Sequence, residues 1–73
     1  MARKEIKSEI TGSVWKILKQ PGDAVGDEDA LMILESMKME IPVLAEMKGT
    51  VVEIRVKEND SVSEGQVLAV LDA

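Results

Sequence analysis

Apolar and polar residues alternate along short stretches of this 73-residue chain. In "VVEIRVK" the alternation puts Val52, Ile54 and Val56 on one face of a strand and charged residues on the other. The apolar runs "ALMIL" and "VLAVL" are too short for helices and are typical of strands that are covered on both faces. These patterns predict a protein built from short β-strands.

The strands belong to an internal repeat with an offset of 37 residues, from Gly12 to Gly49. Residues 12–35 align with residues 49–72 without a gap, and seven of the 24 aligned pairs are identical. Ordinary residue usage would give about one or two identities. Neither unit could bury its apolar face alone, so the repeat predicts an all-β sandwich or flattened barrel with approximate two-fold symmetry. The identical pairs are Gly12/Gly49, Val14/Val51, Ile17/Ile54, Asp23/Asp60, Val25/Val62, Leu31/Leu68 and Leu34/Leu71.

Helix is the alternative for "DEDALMILESMKME", which has a helical composition when taken alone. The aligned segment "EGQVLAVLDA" carries a more strand-like run, and the repeat requires the same structure in both units. We therefore expect strands in both places.

A polar turn interrupts each unit at the same point. Gly22 and Asn59 occupy matching positions, and both residue types tolerate a positive φ. Asp23 and Asp60 follow directly, where a short carboxylate can accept hydrogen bonds from the amides of its own turn.

Composition limits the possible functions of this chain, which we treat as a single domain over residues 1–73. It has no cysteine and no histidine, so it offers no disulfide, thiol nucleophile, Cys/His zinc site or imidazole catalyst. The net charge of −5 and the single aromatic residue, Trp15, do not suit nucleic-acid binding. No apolar stretch resembles a membrane span or a signal peptide, so we expect a cytoplasmic protein. Because the chain is short and lacks His, Cys and a phosphate-binding Gly loop, we also expect it to be non-catalytic.

The stretch "ESMKMEI" places Lys38 between Met37 and Met39. "ALMILE" and "EIPVLAE" read as two strands of a hairpin whose tip is this trio, and Pro42 suits an edge strand. The tip lacks Gly, Asn, Asp and Pro, which two-residue hairpin turns normally contain. Such a local departure from turn chemistry is typical of functional sites, although most exposed lysines are simply solvated.

A lysine on a protruding tip is well placed for covalent modification. Its amine can attack an activated carboxyl group to form a stable amide, and a narrow hairpin fits into the cleft of a modifying enzyme. Lysine is mostly protonated in water, so that enzyme must supply the deprotonation.

The segment "ESMKMEIPVLAEMKGTVVEIRVKENDSVSEGQVLAVL" resembles the biotinyl/lipoyl carrier domains, and the resemblance extends to "GSVWKILKQPGDAVGDEDALMILE". It implies a flattened β-barrel of two four-stranded sheets with quasi-two-fold symmetry. It also implies that Lys38 is the attachment site for biotin and that the biotin ligase reads Met37 and Met39. Glu35, on the strand that leads into the tip, is implied as a further contact for the ligase.

By the same resemblance, the chain would be a biotin carboxyl carrier that works with a biotin protein ligase, a biotin carboxylase and a carboxyltransferase. It is similar to stand-alone bacterial carriers, and an excised domain would look identical. Two alternatives remain at this stage: a lipoate carrier, or dual acceptor, served by a lipoate ligase for a 2-oxoacid dehydrogenase complex, and an unmodified structural module. Lipoyl domains usually carry Asp-Lys-Ala or a similar tripeptide at the tip, which favours biotin. The chain departs from the family at Asn59-Asp60, where Gly-Asp is common, and it lacks the thumb insertion of some carriers.

Overall fold

The computed structural model describes residues 3–73, which form eight β-strands and no helix. The strands pair into two four-stranded antiparallel sheets, with the orders β1-β8-β6-β3 and β5-β4-β2-β7. The predicted all-β fold of two four-stranded sheets is confirmed, and the helical alternative for residues 27–40 is wrong. Within residues 3–73 there is accordingly no helix that could cross a membrane. The strands are β1 (Arg3–Lys7), β2 (Gly12–Ile17), β3 (Ala24–Val25), β4 (Ala30–Ser36), β5 (Met39–Leu44), β6 (Gly49–Ile54), β7 (Ser61–Val62) and β8 (Val67–Asp72).

The two sheets are related by the sequence repeat. The offset of 37 residues maps β2, β3 and β4 onto β6, β7 and β8, and it maps β1 onto β5. Exchanging each strand for its counterpart converts one sheet order into the other. We call β5-β4-β2-β7 the hairpin sheet, because it contains the turn at Met37 and Lys38, and β1-β8-β6-β3 the opposite sheet.

Each repeat contributes hydrogen bonds to the central strand of the other. The backbone of Val14 exchanges two hydrogen bonds, of 2.8 and 2.7 Å, with residues 59–60. The backbone of Val51 makes the two equivalent bonds, of 2.9 and 2.8 Å, to residues 22–23. The short strands β3 and β7 consequently lie in the sheet formed mainly by the other repeat. Neither repeat could satisfy these backbone groups without its partner.

The core consists of two clusters of buried side chains, and each cluster draws on both repeats. One contains Leu31 from the first repeat with Val51 and Leu71 from the second, and the repeat maps five of its seven buried members onto buried members of the other cluster. The two units are therefore packed into each other, as the repeat predicted. The buried members are Ile6, Val25, Leu31, Ala45, Val51, Ala69 and Leu71 in one cluster and Val14, Met32, Leu34, Val56, Val62 and Leu68 in the other.

Symmetric irregularities explain the continuous apolar runs of β4 and β8. Leu31 has no partner in the register with β5, and both Leu31 and Met32 are fully buried. Leu68 and Ala69 have the same arrangement on β8 against β1. Two consecutive side chains reach the core because one extra residue interrupts the alternation. The prediction that these strands are covered on both faces is wrong for β4, where Ile33 stays partly exposed.

A second pair of irregularities shifts the buried face of β6. Val52 is an extra residue between the pairs Val51↔Leu71 and Glu53↔Val70, and Trp15 is its counterpart on β2. Val51 is 1% exposed and lies in the core, whereas Val52 is partly exposed. The alternation placed Val52 on the core face, and the extra residue makes that assignment wrong.

The predicted turn chemistry is confirmed in both repeats. Gly22 and Asn59 have φ values of +97° and +76°. The carboxylates of Asp23 and Asp60 accept hydrogen bonds from the backbone N–H groups of residues 20 and 57, at 2.8 and 2.9 Å. Each turn is thus closed by a carboxylate three residues along the chain.

Replacing Asp23 or Asp60 with alanine should lower the free energy of unfolding by about 1 kcal/mol each, because each variant loses one hydrogen bond to a carboxylate. The two turns share no hydrogen-bond partner, so the double variant should lose about 2 kcal/mol. Urea unfolding monitored by circular dichroism measures both effects. Glu28→Ala removes the same charge from a carboxylate that accepts no hydrogen bond within residues 3–73, and it should leave stability nearly unchanged. Equal losses in all three single variants would mean that net charge, and not the turn bond, causes the effect.

Candidate functional site

The predicted hairpin is formed by β4 and β5 of the hairpin sheet. Their register ends with Ser36 paired to Met39, so Met37 and Lys38 are the two residues of the turn. β5 is an edge strand, and Pro42 lies in it as predicted. The repeat places the end of β8 and the start of β1, where Arg3 pairs with Asp72, at the equivalent point of the opposite sheet.

The backbone of this turn adopts the left-handed conformation at both residues. The φ angle is +51° at Met37 and +66° at Lys38, as in a type I′ hairpin turn. The twist of the flanking strands favours this turn, but side chains other than Gly and Asn adopt it at a cost of about 1–2 kcal/mol per residue. The turn is therefore a point of backbone strain that carries two long side chains.

All three side chains at the tip are exposed. Met37 is 88% exposed and Met39 is 58% exposed, and Lys38 is exposed as well. Within residues 3–73, the one salt bridge joins Arg55 to Glu53, so no carboxylate there holds the amine of Lys38. The amine is consequently free to enter the active site of another protein.

Glu35 lies on the outer face of the hairpin sheet, in the second residue pair from the turn. It is directly opposite Glu40 on β5 and opposite Ser13 on β2. Both glutamates are exposed, and like charges in directly opposed positions destabilise a sheet. The structure thus brings Glu35 and Lys38 to the same end of the hairpin sheet, and it adds Glu40, which the sequence analysis did not single out.

Strand β2 supports the stem of the hairpin from the side. Gly12 lies so close to β4 that a Cβ atom at this position would overlap the carbonyl oxygen of Glu35. The hydroxyl of Ser36 also donates a hydrogen bond of 3.1 Å to the carbonyl of Thr11. These contacts hold the last pairs of the hairpin against the body of the protein.

Other candidate features lie elsewhere. A groove of about 220 Å³ between the edge strands β1 and β5 does not include Met37 or Lys38 in its lining. The acidic segment "GDED" forms a turn in which the carboxylate of Asp29 accepts a 2.8 Å bond from the N–H of Gly26. Within residues 3–73, no three acidic side chains are grouped as metal ligands. The tip is therefore the feature that combines exposure, strain and a reactive group.

Several known proteins are similar to this chain over most of its length. The family model described as "Biotin-requiring enzyme" matches residues 4–71. A biotinylated protein TB7.3 homolog from Mycobacterium leprae is 42% identical over 67 residues, which cover 92% of this chain and 94% of that protein. The biotin/lipoyl attachment protein of Bacillus subtilis is 43% identical over 63 residues, and the match covers 86% of each chain.

Solved structures of two kinds share the fold. The urea carboxylase of Kluyveromyces lactis matches with a TM-score of 0.92 and 36% identity, over 99% of this chain and 6% of the carboxylase. The lipoyl domain of the 2-oxoglutarate dehydrogenase complex from Azotobacter vinelandii matches with a TM-score of 0.74 and 35% identity, over 86% of this chain and 80% of that domain. A carboxylase and a lipoyl domain are therefore both among the similar structures.

The strain in the turn leads to a testable difference in stability. The double variant Met37→Asn/Lys38→Gly should be about 2 kcal/mol more stable than Met37→Ala/Lys38→Ala, because Asn and Gly tolerate a positive φ at both positions. Both variants remove the same two side chains, so the comparison isolates the backbone. Urea unfolding provides the two free energies. If the alanine pair is equally stable, the turn does not hold its left-handed conformation in solution.

Proposed function

Because the chain belongs to the biotin/lipoyl attachment family, we propose that it is a biotin carboxyl carrier whose attachment site is Lys38. In this role the chain is not itself a catalyst. A biotin carboxylase loads the carboxyl group, and a carboxyltransferase transfers it to an acceptor. The observation that carries the proposal is the exposed Met-Lys-Met tip on a strained two-residue turn.

The geometry of the tip suits attachment by a ligase. The amine of Lys38 would attack the carboxyl carbon of an activated acyl-adenylate, forming an amide bond while the adenylate leaves as AMP. The ligase accepts the proton that the amine loses. A turn of two residues is narrow enough to enter a cleft, and the paired stem down to Ser36 and Met39 limits its motion. A fixed amine lowers the entropic cost of reaching the reactive geometry.

The residues beside Lys38 are proposed to be read by the ligase. Met37 and Met39 expose large apolar side chains on either side of the amine, and such side chains are well suited to adaptable pockets. Glu35 offers a carboxylate close to the tip, where it can pair with a basic residue of the enzyme. Once attached, biotin supplies a ring that carries a carboxyl group, and the lysine side chain serves as its flexible tether.

Lipoate is the second candidate for the same lysine. It is favoured by the name of the Bacillus subtilis relative, which includes both groups, and by the match to a lipoyl domain. In that case the partners would be a lipoate ligase and a 2-oxoacid dehydrogenase complex. The two methionines at the tip favour biotin, since lipoyl domains usually carry Asp-Lys-Ala or a similar tripeptide there.

Intact mass spectrometry after coexpression tests the attachment. We expect a biotin adduct with a biotin protein ligase, and its loss in Lys38→Arg. Lys48→Arg, at another exposed lysine, should keep the adduct. A lipoyl adduct with a lipoate ligase, in addition, would identify a dual acceptor. An unmodified mass with both ligases would contradict the proposal.

Replacing Met37 or Met39 with alanine should slow biotinylation, because each variant removes an exposed side chain beside the amine. The free energy of unfolding should change by no more than about 0.5 kcal/mol, as expected for exposed positions. Initial rates of adduct formation and urea unfolding measure the two quantities. Met32→Ala, which empties a fully buried position, should instead cost about 2–5 kcal/mol. A similar loss of stability at Met37 or Met39 would show that they are packing residues.

A further inference from the structure

The internal repeat makes the two outer faces of the protein directly comparable. Apart from Ser36 and Met39 beside the turn, each strand position of the hairpin sheet has a counterpart 37 residues away on a strand of the opposite sheet. The shared strand pairing alone therefore does not require the two outer faces to differ. A difference between them indicates a requirement that applies to one face alone.

The outer face of the hairpin sheet can be assigned from the packing of its neighbours. Leu34 and Val43 contact the core, so Ile33, on β4, and Pro42, on β5, point outward. Ile33 is paired with Pro42 on one side and with Lys16 on the other. Three further apolar side chains are exposed on this sheet or at its end: Trp15 at 45%, Leu18 at 44% and Leu44 at 40%.

Charged residues occupy three of the five matching positions of the opposite sheet, and the other two, opposite Ile33 and Trp15 in the repeat, are Val70 and Val52. Arg55 corresponds to Leu18, Glu5 corresponds to Pro42, and Lys7 corresponds to Leu44. Arg55 forms a 2.8 Å salt bridge with Glu53, and the carboxylates of Glu53 and Glu5 raise the pKa of Arg55 above its ordinary value.

The central residues of the two outer faces, Val70 and Ile33, differ in exposure. Val70 lies directly between Glu5 and Glu53 and is only 7% exposed, whereas its counterpart Ile33 remains partly exposed. The long side chains of the opposite sheet cover its apolar centre. On the hairpin sheet, the neighbouring side chains leave Ile33 more exposed than Val70.

The charges next to the turn differ in the same way. In the opposite sheet, Arg3 is paired with Asp72, which are opposite charges in directly opposed positions. The equivalent pair in the hairpin sheet is Glu40 with Glu35, which are like charges. An opposed pair of like charges destabilises a sheet, and an opposed pair of unlike charges stabilises it. The hairpin sheet thus has a like-charged pair and exposed apolar side chains where the opposite sheet has an unlike-charged pair and charged side chains.

We propose that the outer face of the hairpin sheet is the docking surface for the enzyme that acylates Lys38. This proposal rests on the proposed function. The docking face consists of Glu35 and Glu40 near the turn, Ile33 and Pro42 two residue pairs further from the turn, and Trp15 and Leu44 at its margin. The enzyme surface that fits it carries basic groups opposite the two glutamates and apolar groups over Ile33 and Pro42.

The dimensions of a protein interface agree with this assignment. A standard interface buries roughly 800 Å² on each partner, which corresponds to a radius of about 16 Å. Pro42 follows Lys38 by four residues, so it lies about 13 Å from the turn at the usual rise of a strand. An enzyme that closes on the tip therefore reaches the glutamate pair and the row of Ile33 and Pro42. Basic groups of the enzyme would also relieve the repulsion between Glu35 and Glu40.

Steady-state kinetics with a purified bacterial biotin protein ligase and the unmodified chain test the docking face. Glu40→Arg creates the unlike pair of the opposite sheet, so it should raise the urea midpoint of unfolding. It should nevertheless raise KM for the chain about fivefold, with little change in kcat. Pro42→Glu introduces the residue that the opposite sheet carries, and it should raise KM about tenfold. A residue with a purely structural role would not give higher stability together with weaker docking.

Matched changes on the opposite sheet serve as controls. Arg3→Glu makes a like-charged pair with Asp72 and should lower the unfolding midpoint without changing KM. Lys7→Leu adds an apolar residue at the position equivalent to Leu44 and should also leave KM unchanged. Equal KM increases on both sheets would overturn the proposal, because the effect would then follow net charge or stability.

The remaining outcomes separate this proposal from the function on which it rests. If the wild-type chain accepts no biotin, the proposed function fails. If the wild type is biotinylated and the variants of the docking face keep its KM, only the docking surface is wrong. If sedimentation equilibrium shows a wild-type dimer that Pro42→Glu dissociates while KM stays constant, a second copy of the chain covers this face, and the proposal is overturned.

Discussion

The structure depends on a reciprocal set of backbone hydrogen bonds between its two repeats. The turn of each repeat bonds to the central valine of the other, Val14 or Val51, and both core clusters mix side chains from the two units. Neither unit can satisfy its backbone groups or cover its apolar side chains alone. A chain of this size has a small core, so this mutual dependence is what allows a rigid body to form. The rigid body in turn fixes the strand register that ends at Ser36 and Met39.

The strained turn is a consequence of that register. Strands β4 and β5 are paired up to the last residue before the tip, and two residues can connect them at the natural twist in a type I′ turn. Met37 and Lys38 then have to adopt a conformation that suits Gly or Asn. The body of the protein imposes a backbone shape that the local sequence would not choose. Local strain that persists in this way is common where a side chain must be presented in one fixed direction.

Symmetry also shows where this chain has requirements beyond folding. The repeat gives most strand positions a counterpart, and most core pairs are the same or similar in type, with Val56 and Lys19 as an exception. The differences are concentrated on the outer faces and at the ends of the two sheets. On the opposite sheet Arg3 faces Asp72 and Arg55 binds Glu53, whereas on the hairpin sheet Glu35 faces Glu40 and Ile33 stays partly exposed. The sheet with the like-charged pair is the one that carries Lys38.

The sequence by itself determined the repeat, the short strands, the turns at Gly22 and Asn59 and the position of Lys38 at a hairpin tip. Each of these follows from local residue types or from the alignment of the chain with itself. Only the tertiary structure decided which face of β6 is buried, that Ile33 is partly exposed and that Glu35 opposes Glu40. The extra residues at Trp15, Leu31, Val52 and Leu68 shift the alternation by one, and a period of two cannot show where a strand is interrupted. The positive φ at Met37 and Lys38 likewise comes from the pairing of the strands around them, because neither residue favours that conformation on its own.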